Sequence, residues 1–294
     1  MFVRAIDTAA SFTRPIHTVG RTYGSTTPVP GAATLFFVNS DGWALTCAHV
    51  ARQLAASDEV FAKSQAFNAE LAALPRNNKY RQRLRDLERK YGYGKGIAIQ
   101  ILNSFVNCVE GPLDVDVHIH NQLDVALLKF NRFTKLLCTS FPVFATNGGD
   151  LKQGKFLCRL GFPFPEFTNF EYDKQSDRIR WTQTGRPDTP RFPIEGMVTR
   201  HLQGTGGAVI GFEMSTPGLR GQSGGPAFDS DGRVWGMQAA TGHLDLDFDV
   251  DTEVLRQGEK RRVRDSAFLH VGHCIHLDVL KAFMGQFGVV FAEG

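Results

Sequence analysis

Two segments of the chain repeat one local pattern, in which short apolar runs of β-forming residues flank an Asp-Gly turn. Residues 33–46 carry it first, around the turn at 41–42, and residues 225–237 carry it again, around the turn at 231–232. This arrangement is typical of β-hairpins. Because the two hairpins lie far apart in the chain, they predict two similar β-rich halves.

The composition favours the same interpretation. The chain has 294 residues, which is enough for one large domain or two small ones, and its 30 glycines, 13 prolines and 21% charged residues suit short strands and turns. We therefore predict an all-β fold, with a boundary near residues 146–149. The predicted parts are an N-terminal segment (1–29), an N-terminal β-domain (30–147) and a C-terminal β-domain (148–294). The Pro- and Gly-rich residues 162–193 are predicted to form long surface loops.

One segment, at about residues 52–92, breaks the β pattern. Tyr80, Leu84, Leu87 and Tyr91 recur at helical spacing among many basic residues, and Pro75 divides the segment in two. We predict a helical insertion in the first domain. Its basic residues can be interpreted as an RNA-binding face or as a solvated helix face, and the solvated face is favoured.

Charge, cysteine content and hydropathy argue against several classes of partner and of stabilising site. The net charge of +3 is small, so neither nucleic acid nor an anionic membrane is an expected partner. The five cysteines are widely spaced and odd in number, which indicates reduced thiols rather than a disulfide framework or a zinc site. We see no signal peptide and no apolar run of roughly 20 residues. The predicted location is the cytoplasm, with no cofactor and no metal.

The strongest chemical signal is the run Gly-Gln-Ser-Gly-Gly-Pro at residues 221–226. A serine hydroxyl needs a base to remove its proton and fixed N–H donors to hold the oxyanion that forms. Glycines around Ser223 allow a sharp turn and a close approach of substrate. We predict Ser223 as a nucleophile, with an oxyanion hole made by Gly221, Gln222 and Ser223, whose donors are the N–H groups of Gly221 and Ser223.

Two further residues complete a catalytic set. His49 directly follows the first hairpin, so we expect a rigid strand to place its ring. Asp124 begins an apolar run at 125–130, where a half-buried carboxylate requires a hydrogen-bond partner such as a histidine N–H. Asp114 and Asp116 are nearby alternatives in a strand with one wet face.

At these three sites the sequence resembles the chymotrypsin-like serine proteases, and especially HtrA-type and related bacterial trypsin-like peptidases. The resemblance rests on residues 36–50, 124–128 and 221–226, in the order histidine, aspartate, serine. It implies two six-stranded antiparallel β-barrels with a polypeptide substrate in the cleft between them. His49 would be the general base and then the general acid, Asp124 would orient it, and Ser223 would attack the scissile carbonyl.

The resemblance also implies a substrate-binding region. Pro217 would form the base of the pocket for the P1 side chain, and Gln238, Ala239, Ala240 and Thr241 would lie alongside. Neither stretch carries a charge, so we expect a small or medium apolar P1 residue. The backbone of about 239–241 would pair with the substrate as an added β-strand.

The sequence departs from the family in ways that bear on regulation. Gln222 stands where members activated by cleavage have an aspartate, so no such activation is expected. No PDZ-like domain follows the protease body. A cytoplasmic protease requires restraint, and we predict that conformation or a regulatory protein partner acts through the helical insertion, with an inert insertion as the alternative.

Two other functions stay open at this stage. A protease fold that has lost turnover would be a binding module. The residues around Ser223 also fit the nucleophile elbow of an α/β-hydrolase esterase, although that elbow leads into a helix and the pattern here leads into a strand. The alternating acids at 245–253 are interpreted as a solvated edge strand or loop rather than a Ca²⁺ site. Cys47 is interpreted as a packed thiol rather than a redox switch.

Overall fold

The computed structural model describes residues 1–256 and 258–294. Its helices are α1 (Val3–Phe12), α2 (Ala48–Ala72), α3 (Tyr80–Tyr91) and α4 (Leu277–Gln286). Its strands are β1 (Thr13–Thr22), β2 (Val29–Phe37), β3 (Trp43–Thr46), β4 (Ala98–Phe105), β5 (Val109–Glu110), β6 (Asp114–Ile119), β7 (Ala126–Asn131), β8 (Lys135–Leu136), β9 (Val143–Phe144), β10 (Phe156–Gly161), β11 (Phe170–Asp173), β12 (Arg178–Trp181), β13 (Phe192–Gln203), β14 (Val209–Met214), β15 (Pro226–Phe228), β16 (Arg233–Arg256), β17 (Glu259–His276) and β18 (Ala292–Glu293).

The first half is a curled antiparallel sheet with strand order β4-β1-β2-β3-β7-β6. The predicted first hairpin is present, with Phe36 opposite Leu45. Gly42 in its turn has a φ of +85°, and a Cβ there would lie 2.7 Å from the Phe130 carbonyl oxygen, so glycine is required. Within the described residues β4 and β6 do not pair, so this sheet is a half-barrel.

In the second half, six strands close into a barrel. They run β15-β10-β13-β14-β17-β16, and β15 also pairs with β16, which closes the ring. The predicted double-barrel fold class is thus confirmed. One difference is that β9 and β18 extend this sheet by parallel pairing, so it is not purely antiparallel. Because β9 joins it, the chain enters the second sheet before the predicted boundary at residue 147.

The first 29 residues are not a separate segment. β1 lies inside the N-terminal sheet, between β2 and β4, and α1 packs on the C-terminal barrel, where Phe2 meets Phe228 edge to face at 6.5 Å. β1 carries the buried polar residues His17 and Arg21. Their partners come from residues 162–193, which were predicted to be loops but include the hairpin β11–β12.

The helical insertion begins earlier than predicted, because α2 starts at Ala48. Pro75 lies between α2 and α3, as expected, and α3 ends at Gly92 with a φ of +64°. Both helices fold back onto the N-terminal sheet. They do so through an apolar cluster whose buried members are Phe67, Leu87, Tyr93 and Ile99.

One apolar core joins the two halves. α4 follows β17 and lies between the two halves. It contacts β16 and β17 of the barrel, and on the other side Phe283 lies 5.2 Å from the ring of His120 and Phe287 lies 6.3 Å from Trp43. Among the described residues, no helix has the length and apolar character that a membrane crossing requires.

Candidate active site

His49 and Asp124 form a close pair. Asp124 lies two residues before β7, and β7 pairs with β3, so the carboxylate reaches the point where β3 ends and α2 begins. Its Oδ2 lies 2.8 Å from His49 Nδ1, and its Oδ1 accepts the main-chain N–H of His49 at 2.9 Å. His49 is the second residue of α2, so it lies in the first turn of a helix and not on a strand as predicted. The two contacts fix both the ring and the backbone of His49.

Two opposing effects act on the Asp124 carboxyl. Partial burial raises its pKa, whereas the hydrogen bonds from the His49 ring and main chain, with the nearby charge of Arg52, lower it more. The net result is a pKa below the usual value for aspartate. Asp124 is thus ionised at neutral pH, and it accepts a hydrogen bond from the Nδ1–H of His49, which leaves Nε2 of His49 as the basic nitrogen.

Ser223 shares a cleft with His49. Both line a cavity of about 410 Å³ that extends past residues 29–33 and Leu54. In this structure Ser223 Oγ donates to the Ala239 carbonyl at 3.3 Å. Within the described residues, no hydrogen bond joins it to His49. The structure thus brings the three predicted catalytic residues to one place, with the serine turned toward Ala239.

The loop before Ser223 leaves two backbone donors free. Gly221 has a φ of +102°, and in the part of the chain that the structure describes, no group accepts the N–H of Gly221 or Ser223. Gln222 differs, because its N–H donates to the Leu219 carbonyl at 2.9 Å and its amide donates to the Phe192 carbonyl at 3.0 Å. Gln222 therefore supports the loop, and the free donors belong to Gly221 and Ser223.

Thr34 is a residue that sequence reasoning missed. The main-chain N–H of this buried threonine of β2 donates to the Ser223 carbonyl at 3.0 Å, and its hydroxyl donates to the Gly221 carbonyl at 2.8 Å. The same hydroxyl accepts the Phe162 N–H at 3.2 Å. A strand of the first half thus holds the serine loop of the second half. No signal in the sequence marks this threonine, since its partners in the serine loop are almost 190 residues away.

Polar side chains lie between the predicted walls of the P1 pocket. The Thr241 hydroxyl donates to the Gly218 carbonyl at 2.6 Å and so joins the two predicted walls. The Gln238 amide donates to the Ala240 carbonyl at 2.7 Å. A Cβ on Gly218 would collide with the Gln238 amide nitrogen and would lie 3.0 Å from the Thr241 hydroxyl. These side chains narrow the space between the two walls.

Arg159 is a second residue that the sequence did not single out for a role. It is fully buried, and its guanidinium donates to the Pro217 carbonyl at 3.0 Å, to the Thr216 hydroxyl at 2.7 Å and to the Gln238 side chain. Burial lowers its pKa, and its Nε has no hydrogen-bond partner among the described residues. The base of the predicted pocket, expected to be uncharged, therefore has a cation directly behind it.

Cys47 lies beneath the catalytic pair. Its sulfur, a ring nitrogen of His49 and an oxygen of Asp124 all lie within 4.8 Å of one another, a spacing that a metal ion could bridge. Complete burial, however, raises the pKa of the thiol well above its usual value, and the sulfur donates to the Gln238 carbonyl at 3.3 Å. A protonated, hydrogen-bonded thiol is a poor metal ligand, so Cys47 is interpreted as packing.

Comparisons with known proteins bear on the fold and the family of the chain. Among solved structures, the chain is similar to the HtrA-type protease AlgW with decapeptide, with a TM-score of 0.50 and 12% identity over 97% of this chain and 67% of that one. At that identity the similarity concerns the fold alone. No curated protein sequence matches the chain significantly. The model of the trypsin-like peptidase domain matches residues 33–237. This match covers more than half of the sequence, and the chain therefore belongs to the trypsin-like peptidase family.

Proposed function

We propose that the protein is a serine endopeptidase in which His49, Asp124 and Ser223 form the catalytic triad. The observation that carries the proposal is the His49–Asp124 pair, held at 2.8 Å beside a cavity that also contains Ser223. The free N–H groups of Gly221 and Ser223 supply an oxyanion hole. The decapeptide in the AlgW structure supports a polypeptide as substrate.

The proposed reaction begins when Ser223 Oγ turns from Ala239 to His49. Nε2 of His49 takes the hydroxyl proton as Oγ bonds to the scissile carbonyl carbon. The oxyanion that forms accepts hydrogen bonds from the N–H groups of Gly221 and Ser223. The imidazolium, stabilised by Asp124, then gives that proton to the leaving amine as the C–N bond breaks. A water molecule activated by His49 hydrolyses the resulting acyl-enzyme and restores the serine.

The narrowed pocket supports a narrow P1 preference. Thr241 and Gln238 reduce the space that a long side chain would need, and the cation of Arg159 behind Pro217 disfavours Lys or Arg. We expect cleavage after small residues, and main-chain pairing of the substrate with residues 239–241.

Regulation through the helical insertion is part of the same proposal. α2 carries His49 in its first turn and the apolar cluster near its other end, so a change in the cluster acts on the helix that positions the base. Exposed basic residues on α3 offer a surface for a regulatory protein partner. The cytoplasm is the proposed compartment, and the five free thiols are compatible with it.

One observation favours a second candidate, a binding module without turnover. Ser223 Oγ contacts Ala239, and within the described residues it makes no bond to its base. Catalytic hydrogen bonds often tighten only with substrate bound, so we place this candidate second. The esterase alternative is wrong, because the loop after Ser223 leads into strand β15 of a barrel.

Labelling with a fluorophosphonate probe tests the proposal. The wild-type protein should be labelled at Ser223, and Ser223→Ala and His49→Ala should each lose labelling and peptide hydrolysis. Ser230→Ala, at an exposed serine a few residues away, is the matched control and should label like the wild type. If Ser223→Ala is labelled at the wild-type rate, the nucleophile is a different residue.

A further inference from the structure

One edge of β16 is open along most of its length. Up to Met237 that edge pairs with β15, and Gln238 still exchanges main-chain hydrogen bonds with Gly224 and Gly225. Beyond Ala239, among the described residues, β16 pairs only with β17, on its other edge, from Ala240 opposite His273 to Arg256 opposite Glu259. Together β16 and β17 form a long hairpin, which we call the arm (residues 242–271).

The open edge begins at the catalytic serine. The Ala239 carbonyl accepts Ser223 Oγ, and residues 239–241 are where the proposed substrate pairs. The leaving group of the substrate must lie over His49, which donates a proton to it, and the 410 Å³ cavity beside His49 provides space on that side. The acyl side of the substrate therefore extends in the other direction, along β16 and antiparallel to it.

The narrowed P1 pocket makes this edge important for binding. A small P1 side chain buries little apolar surface, so it contributes little affinity. Unpaired N–H and C=O groups on an edge strand bind any extended chain that aligns with them. The edge from residue 242 to residue 255 is interrupted by a bulge at residues 246–248, where Asp247 has a φ of +54°. At about 3.4 Å per residue, it has room for about four substrate residues before the bulge and about six beyond it.

The two faces of the arm have different chemistry. On one face Leu244 lies opposite Leu269, and on the other face Glu253 lies opposite Arg262. The acids of β16 that have partners in β17 lie on this second face. Asp251 and Glu253 already form ion pairs with Arg262 and Lys260, whereas Asp245, near the cleft, is exposed without an ion-pair partner among the described residues. A strand added to the open edge would place alternate side chains beside the leucines and beside the acids.

We propose that the open edge of the arm binds the substrate upstream of the scissile bond, as an added β-strand. The substrate class is an extended, unfolded polypeptide whose ten or so positions before the cleavage site include apolar residues beside Leu244 and a basic residue beside Asp245. This inference rests on the proposed function for the location of the scissile bond. The binding itself requires no turnover.

Binding to the Ser223→Ala protein tests the arm separately from catalysis. Three fluorescent peptides share one core that ends in a small P1 residue. The first has an N-terminal extension of ten alternating Val and Lys residues, the second has the same ten residues at its C-terminus, and the third has no extension. Fluorescence anisotropy should show the N-extended peptide binding at least about tenfold more tightly than the other two, since several main-chain hydrogen bonds are added.

A shortened arm supplies the matched protein variant. Asp245 lies opposite Phe268, so replacing residues 246–267 by Asn-Gly closes the hairpin with a two-residue turn and keeps residues 239–241. In this variant the advantage of the N-extended peptide should disappear. A peptide whose N-terminal extension has proline at alternate positions lacks some of the main-chain N–H donors. It should bind the protein with the wild-type arm no more tightly than the core peptide does.

The outcomes separate the two proposals. Equal binding of the N-extended and C-extended peptides, or an advantage that survives in the shortened arm, would overturn the proposal of an upstream edge. Absence of peptide hydrolysis by the protein with Ser223 intact would count against the proposed function, while a length-dependent affinity that requires the arm would still support the edge.

Discussion

At the scale of single residues, the active site depends on side chains whose partners lie far away in the sequence. Thr34 holds the serine loop across almost 190 residues, and Arg159 reaches Gln238 across 79. Residue type and spacing pointed to His49, Asp124 and Ser223 as the proposed triad because their chemistry is distinctive. A buried threonine or arginine has no such local pattern, so only the folded structure gives these two residues a role.

Thr241 gives the sharpest prediction at this scale. Its hydroxyl joins the walls of the P1 pocket, so Thr241→Gly should open the pocket. For short peptides, kcat/KM for Leu at P1 relative to Ala should rise about tenfold, which corresponds to burying roughly two more methylene groups.

The control for this change lies on the same strand. Thr252→Gly removes a threonine from an exposed position far along the arm and should leave the Leu-to-Ala ratio unchanged. An unchanged ratio in Thr241→Gly would mean that another group limits the pocket.

At the scale of elements, the sequence was most informative where apolar residues follow a regular period. Both Asp-Gly hairpins and the helical insertion follow such periods, and the structure contains them. β1 was missed because His17 and Arg21 look like surface residues, although both are buried by partners from residues 162–193. The start of α2 was placed too late, because the residues around His49 match a strand end as well as a helix start.

The insertion is an element with a testable role. Phe67 is buried in its apolar cluster, with ring contacts to Tyr23 and Tyr93. Phe67→Ala should destabilise the protein by about 3–5 kcal/mol through the cavity that it leaves. If the insertion controls the helix that carries His49, kcat for a short peptide should also fall at a temperature where the variant stays folded.

Phe61→Ala provides the comparison for this experiment. Phe61 lies on the same helix, is only partly buried, and contacts Arg178 at 4.7 Å. We expect little change in kcat. If folded Phe67→Ala turns over peptide at the wild-type rate, the insertion has no influence on the catalytic base.

At the scale of the whole molecule, the two halves are joined by a buried histidine. Nε2 of His17, on β1, lies 2.8 Å from the hydroxyl of Thr189, and its ring stacks on Phe167 at 3.9 Å. Burial lowers the pKa of His17 to about 4, against a smaller opposing effect of Asp188. The folded protein therefore keeps this ring neutral under conditions in which an unfolded chain would protonate it.

This histidine predicts a pH dependence of stability. Between pH 6.5 and about 4 the unfolded chain binds a proton at His17 and the folded chain does not, so stability falls as the pH falls, by up to about 3 kcal/mol. His17→Gln should reduce the pH slope of the urea-derived unfolding free energy by about one proton in that range. Burial also lowers the pKa of His276, which accounts for a remaining slope. An unaltered slope in His17→Gln would contradict this assignment.

The packing of α1 and α4 has a consequence for protein engineering. α1 precedes the N-terminal sheet but packs on the C-terminal barrel, and α4, which follows the barrel, contacts β16 and β17 and also reaches aromatic rings of the N-terminal half. A chimera with another peptidase that crosses over near residue 147 would therefore place α1 against a barrel from a different protein and the rings of α4 against a different sheet. A crossover that moves residues 1–12 together with the barrel would keep α1 with the surface that it covers.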